Sequence, residues 1–151
     1  MITITEYPCH HPEESLQIHC NRWQYWGWSE TQQSLRDPRY HLLIANSSEA
    51  PTTLWVGSLL YWVGVEHGEL LYLFTEPEHR NKGIARALFA FMEAQLQKIP
   101  TCKHLYLEVR ASNQAAQALY RSLQLQEAQI RKKYYEDGED ALIFTKEIAS
   151  L

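Results

Sequence analysis

The chain has 151 residues, 45% of them hydrophobic, and carries a formal net charge of −4. That length and apolar content suit a single domain, residues 1–151, that buries its core without staples or metals. The acidic balance argues against direct nucleic-acid binding, which draws on a surplus of Lys and Arg. Three cysteines, an opening MITITEYPCHHPEE with neither a charged n-region nor an apolar h-region, and the lack of any long apolar run point to a reduced, cytoplasmic, soluble protein with no membrane span.

In chain order, ITITEY alternates apolar and polar residues and predicts a strand stopped by Pro8. Pro12-Glu13-Glu14 reads as the first turn of a helix running to about Trp23, with acids at the positive end of its dipole. Ser29-Glu30-Thr31-Gln32 opens a second short helix that ends before Asp37-Pro38. YHLLIA, LWVGSLLYWVGV and ELLYLFT predict an antiparallel meander, with turns at Asn46-Ser47-Ser48 and His67-Gly68. From Gly83 the period changes, and Ile84, Leu88, Phe91, Met92, Leu96 and Ile99 mark one face of a helix ended by Pro100. HLYLEVR is the next strand, Ser112-Asn113 cap a helix bearing Ala116, Leu119, Tyr120 and Leu123, and two strands follow around Glu136-Asp137-Gly138. The expected class is a mixed α/β fold with a largely antiparallel sheet and about four helices.

The stretch HRNKGIARAL follows a strand that ends in proline and places Arg80, Lys82 and Arg86 around Gly83 at a helix start. The two common glycine-rich phosphate motifs need more glycines than it has. The underlying physics still applies, because a helix N-terminus offers unsatisfied N–H groups and glycine lets an anion approach the backbone. A basic loop capping an ordinary helix is the alternative.

Together, R-x-x-G-x-A after the proline-ended strand and L-E-V-R-x-S-N-x-A-A-x-x-L-Y from Leu107 to Tyr120 resemble the GNAT superfamily of N-acetyltransferases. The resemblance covers roughly residues 40 to 147. It is closest to the ribosomal protein alanine N-acetyltransferases, whose LEVRASN…ALY segment, Trp28-Ser29-Glu30 triplet and Tyr-Tyr…Gly-Glu-Asp-Ala segment look like those here. It implies a sheet splayed between its fourth and fifth strands, where acetyl-coenzyme A inserts. Its pyrophosphate would rest on Arg80, Asn81, Lys82, Gly83, Ile84, Ala85 and Arg86, and backbone groups of Leu73, Phe74 and Thr75 would bind the acetyl and pantetheine parts. Three positions depart from the pattern. Phe74 is bulky where relatives carry a small residue, Ala85 replaces a second glycine, and Gln124-Leu125 replace Gly-Phe after the helix carrying Tyr120, which questions the usual glycine helix stop.

Acetyl transfer from a thioester to an amine needs a base for the amine, a donor for the oxyanion and a proton source for the thiolate. Glu108 is a carboxylate in an otherwise apolar strand, and its two readings are an ion pair with a cross-strand cation or a general base. The resemblance implies the base. Tyr120 lies about two helical turns after Asn113, so either the two face one cleft or Tyr120 is a core aromatic and Asn113 an N-cap. The resemblance implies a phenol serving the leaving thiolate and an amide holding the pantetheine arm. Cys9, His10, His11, His19 and Cys20 supply zinc-type ligands in a spacing that matches no common site, so no metal is expected. Trp23, Tyr25, Trp26 and Trp28 form a core cluster or a peptide groove, and Arg131-Lys132-Lys133 reads as a solvated face. The resemblance implies an acceptor at a protein N-terminus, the α-amine of an alanine of a small-subunit ribosomal protein. A small amine, a lysine side chain and a non-catalytic coenzyme A binding module stay open as alternatives, and the oligomeric state is not legible.

Overall fold

The computed structural model describes residues 1–7, 28–50 and 55–151. The helix expected over 12–23, the Cys/His group at 9–20 and the aromatics Trp23, Tyr25 and Trp26 lie outside the described residues. The strands are β1 (Ile2–Glu6), β2 (Tyr40–Ser47), β3 (Gly57–Val63), β4 (His67–Thr75), β5 (His104–Arg110), β6 (Gln126–Arg131) and β7 (Ala141–Glu147). The α-helices among the described residues are α1 (Trp28–Ser34), α2 (Ile84–Gln97) and α3 (Gln114–Ser122), and a 3-10 turn spans Pro77–His79. The hydrogen-bonded strand order is β1-β2-β3-β4-β5-β7-β6. No helix among the described residues is long and apolar enough to cross a membrane.

The chain divides into two compact units, Met1–Trp62 with Tyr72–Gln95, and Val63–Leu71 with Leu96–Leu151. In the first, β1 and β2 pair antiparallel from Ile2↔Ser47 to Glu6↔Leu43, and β2 and β3 from Tyr40↔Trp62 to Ala45↔Gly57. The pairing with β1 carries β2 through Ser47, so the turn expected at Asn46-Ser47-Ser48 starts later. Leu42, Leu43, Ile44 and Ala45 are all fully buried, the mark of a strand covered on both faces. Helix α2 follows its apolar period, with Ile84, Leu88 and Met92 buried, although Phe89 is buried and Phe91 only half so. Gly57 is obligatory for this packing. A Cβ there would stand 2.8 Å from Ile84 Cγ2 and 3.0 Å from the Phe74 carbonyl oxygen.

In the second unit, β4 and β5 pair parallel from His67↔His104 to Leu70↔Leu107. That pairing draws His67 and Gly68 into the strand, and the turn expected there is instead closed by Gly64 N–H donating to His67 O at 2.8 Å. The parallel register ends at Leu70↔Leu107 although β5 continues to Arg110, as expected for a sheet that splays between its fourth and fifth strands. Strand β7 pairs antiparallel with β5 along all seven residues and with β6 on its other side, where a bulge lies between Glu127 and Gln129. Leu105, Leu107, Val109, Leu125 and Phe144 make its core.

Candidate active site

The HLYLEVR strand alternates. Leu105, Leu107 and Val109 are buried, while His104, Tyr106, Glu108 and Arg110 occupy the opposite face. Glu108 therefore opens to a pocket of about 260 Å³ that His67, Glu69, Tyr106, Gln129 and Arg131 also line. All of these residues belong to the second unit.

Arg131 Nη1 stands 3.2 Å from Glu108 Oε1, and the Glu108 side chain is 27% exposed. The cross-strand ion pair weighed as an alternative is thus real, and Arg131 does more than present charge to solvent. The pair leaves the carboxylate partly accessible, which is compatible with a base. Tyr134 borders the same group. The Glu108 carboxylate, as hydrogen-bond acceptor and as charge, pushes the Tyr134 phenol above its usual range. The loop carrying Tyr134 is tied down by Arg110, whose Nη1 lies 2.8 Å from Asp137 Oδ2 and whose guanidinium carbon lies 4.0 Å from the Tyr135 ring centroid. Ser112 Oγ also donates to Glu139 Oε1 at 2.7 Å.

Glu69 is one member of this pocket that sequence reasoning missed. It pairs in register with Tyr106 and shares the face of Glu108. Half-burial, and then the charge of Glu108, push its carboxyl above the usual range, against smaller opposing effects of His67 and Arg131. The available signal was an acid within the apolar run ELLYLFT.

Asn113 is the N-cap of α3, with Oδ1 accepting from Ala116 N–H at 3.1 Å. The cap reading holds for its carbonyl, and the amide NH₂ makes no hydrogen bond among the described residues. Tyr120 is 9% exposed, its ring 6.1 Å from that of Phe144, so it is a core aromatic as well as a candidate donor. Burial pushes its phenol up to about 12, and its hydroxyl makes no hydrogen bond among the described residues. The helix then stops without glycine. Gln124 takes φ 71, Gln124 N–H donates to Arg121 O at 3.1 Å, and Leu125 N–H donates to Tyr120 O at 3.0 Å. Those two bonds define a Schellman motif with glutamine in the usual glycine place.

In the first unit, the loop before α2 holds Asn81 at φ 60 and Gly83 at φ 81. Gly83 O accepts from Ala87 N–H at 3.0 Å, which makes Gly83 the N-cap and leaves the next N–H groups without intrahelical partners. A Cβ built on Gly83 would meet nothing within 4 Å, so the space above this backbone is open. Arg80, Lys82 and Arg86 are exposed around it. Arg80 Nε donates to Thr75 O at 3.2 Å, and Lys82 Nζ lies 3.8 Å from Glu49 Oε2. Open space over a left-handed glycine, a helix start and three cations fit a diphosphate. Leu73, Phe74 and Thr75 are half-buried on β4. The expected site residues thus group as Leu73–Thr75 with Arg80–Arg86 in one unit, and Glu108 with Asn113 and Tyr120 in the other.

The sequence matches the model of the acetyltransferase (GNAT) family over residues 3–124. It is 41% identical over 90 residues to the [ribosomal protein bS18]-alanine N-acetyltransferase of Escherichia coli strain K12, covering 58% of this chain and 60% of that one. It is 35% identical over 91 residues to an uncharacterized N-acetyltransferase of Methanocaldococcus jannaschii, covering 60% and 58%. The matched region spans only 54% to 60% of the length of these curated relatives and of a Bacillus subtilis one. The crystal structure of the ribosomal-protein-S18-alanine N-acetyltransferase from Escherichia coli superposes with a TM-score of 0.80 at 30% identity, covering 100% of this chain and 96% of that one. Arabidopsis thaliana NAA60 in complex with acetyl-CoA shares the fold, with a TM-score of 0.81 at 16% identity, covering 98% and 99%. The family model covers most of the sequence and the architecture agrees, so the chain belongs to the acetyltransferase (GNAT) family.

Proposed function

We propose that this chain transfers an acetyl group from acetyl-coenzyme A to the α-amine of a protein N-terminus, an alanine of a small-subunit ribosomal protein of the bS18 kind, by direct attack. The observation that carries the reading is Glu108, a carboxylate held 3.2 Å from Arg131 and opening to a pocket of about 260 Å³. The names of the Escherichia coli and Bacillus subtilis relatives support the acceptor.

Acetyl-coenzyme A supplies an activated thioester. In this reading the N–H groups at the start of α2, with Arg80, Lys82 and Arg86, hold its pyrophosphate, and the Asn113 amide donates to its pantetheine arm. Glu108 takes the proton from the acceptor ammonium and so frees the nitrogen lone pair for attack on the thioester carbon; the second proton, shed by the nitrogen as the tetrahedral adduct collapses, leaves with the thiolate to give the amide and coenzyme A thiol. Arg131 keeps the carboxylate in place before and after that transfer. A main-chain N–H among Leu73, Phe74 and Thr75 stabilises the oxyanion. Tyr120 serves the sulfur as the carbon–sulfur bond breaks. Its phenol, pushed up to about 12, is a weaker acid than an ordinary thiol at about 8.5. It therefore suits hydrogen bonding to the departing thiolate better than complete proton transfer.

An α-amine has an unperturbed pKa of about 8 against about 10.4 for lysine, so it offers a single carboxylate base a much larger neutral fraction at pH 7. Coenzyme A release with an alanine-starting peptide, measured for the native protein and Glu108→Gln, tests the reading. The substitution keeps the shape and removes the base, and turnover is expected to fall roughly 10²-fold or more at similar cofactor affinity. Near-native turnover across pH 6 to 9 would remove Glu108 from the role.

A further inference from the structure

The pocket that holds Glu108 contains a second carboxylate whose position the reaction does not explain. Glu69 is half-buried on β4 and stands in register with Tyr106, so Glu108 lies one strand across and two residues along on the same face. Strand spacings place their Cα atoms about 8 Å apart. Glu108 is matched by Arg131 at 3.2 Å. Glu69 makes no hydrogen bond or ion pair among the described residues. The charged and titratable groups that line the pocket with it are His67 on its own strand, Tyr106 and Glu108 on β5 and Arg131 on β6. Among the described residues, two carboxylates therefore share one guanidinium and the His67 imidazole.

A half-buried carboxylate beside a second carboxylate is disfavoured by partial desolvation and by like-charge repulsion. A donor-bearing cation arriving with the acceptor would recover that cost. The α-nitrogen of a peptide and the side-chain cation of its second residue are separated by roughly 6–10 Å, given ~3.8 Å between consecutive Cα atoms and one long side chain. That span covers the roughly 8 Å between the Cα atoms of the two glutamates.

We propose that Glu69 is the subsite for a Lys or Arg at the second position of the acceptor, whose α-amine is received by Glu108, so that the substrate class is an N-terminus with a basic second residue. The inference rests on the reading of Glu108 as the base. Glu69 discriminates between acceptors, and Glu108 performs the proton transfer.

Two hexapeptides, identical except for Lys or Gln at the second position after an N-terminal alanine, test this by initial-rate kinetics on the native protein, Glu69→Gln and Glu69→Lys. The native protein should prefer the Lys peptide on the order of tenfold in kcat/KM, mostly through KM, as for a hydrogen bond to a charged group. Glu69→Gln should bring that ratio to about one whatever its absolute rate. Glu69→Lys should favour a third peptide with Glu at the second position. Acetylation of both peptides by the native protein with equal kcat/KM, or an unchanged preference in Glu69→Gln, would overturn the Glu69 assignment and leave the role of Glu108 standing. No acetylation of any of these peptides by the native protein would overturn both.

Discussion

Gln124→Gly should stabilise the protein. Gln124 occupies φ 71 immediately after α3, where an L-residue with a Cβ is less favourable by roughly 1–2 kcal/mol. Glycine takes that conformation freely but returns about 0.5–1 kcal/mol through the entropy of the unfolded chain. The bonds from Gln124 N–H to Arg121 O and from Leu125 N–H to Tyr120 O are backbone bonds and survive the change. Leu125 is 3% exposed and Tyr120 9%, so the apolar anchor that accompanies such a stop is also kept. The net gain is about 0.5–1 kcal/mol, or roughly 1–4 °C in Tm for a chain of this size. Urea unfolding should show the midpoint raised at constant slope. Gln124→Val should go the other way, because a β-branched residue resists positive φ. A lower Tm for Gln124→Gly, or equal values for glycine and valine, would refute the strain argument.

Gly83→Val should weaken acetyl-coenzyme A binding by more than about tenfold, or ~1.4 kcal/mol, because φ 81 strains any side chain and the branched carbons would fill the open space above the loop. Calorimetric titration giving an unchanged affinity in a folded variant would move the pyrophosphate elsewhere. Glu69→Gln should raise Tm at pH 7 to 8. The Glu69 carboxyl titrates higher in the fold than in the unfolded chain, so its favourable contribution is present below the unfolded pKa of about 4.3 and is lost as pH rises through the folded value. The gain from Glu69→Gln should therefore shrink as pH falls towards 4, and a gain independent of pH would contradict it. Tyr120→Phe should lower kcat by roughly 10- to 100-fold with little change in the acceptor KM, as for loss of a group acting when the leaving bond breaks. A change confined to acceptor KM would make the phenol a recognition group.

Much of the fold is legible because periodicity survives in the sequence. HLYLEVR alternates cleanly, and that alone sets Glu108 on the face opposite Leu105, Leu107 and Val109. The face of α2 is legible for the same reason, although Phe89 is buried off the expected stripe. The turns were less so. Asn46-Ser47-Ser48 and His67-Gly68 carry turn-forming residues, yet pairing with β1 and β5 keeps Ser47, His67 and Gly68 extended, a tertiary override of local preference. The missing glycine at residue 124 signalled a doubtful helix stop, but buried Leu125 and the two backbone bonds hold it. Arg131 and Glu69 were the hidden parts of the site. Arg131 meets Glu108 only because β7 lies between β5 and β6, and Glu69 joins the pocket only through a parallel register that neither strand's own pattern encodes.

The most direct test of the central claim is tandem mass spectrometry of an alanine-starting peptide with a basic second residue and an internal lysine, incubated with acetyl-coenzyme A and either the native protein or Glu108→Gln. The account predicts one acetyl group on the α-nitrogen of the alanine, formed by the native protein and strongly reduced in Glu108→Gln, with the internal lysine unmodified. An acetyl group found on the lysine, or α-acetylation undiminished in Glu108→Gln, would contradict it.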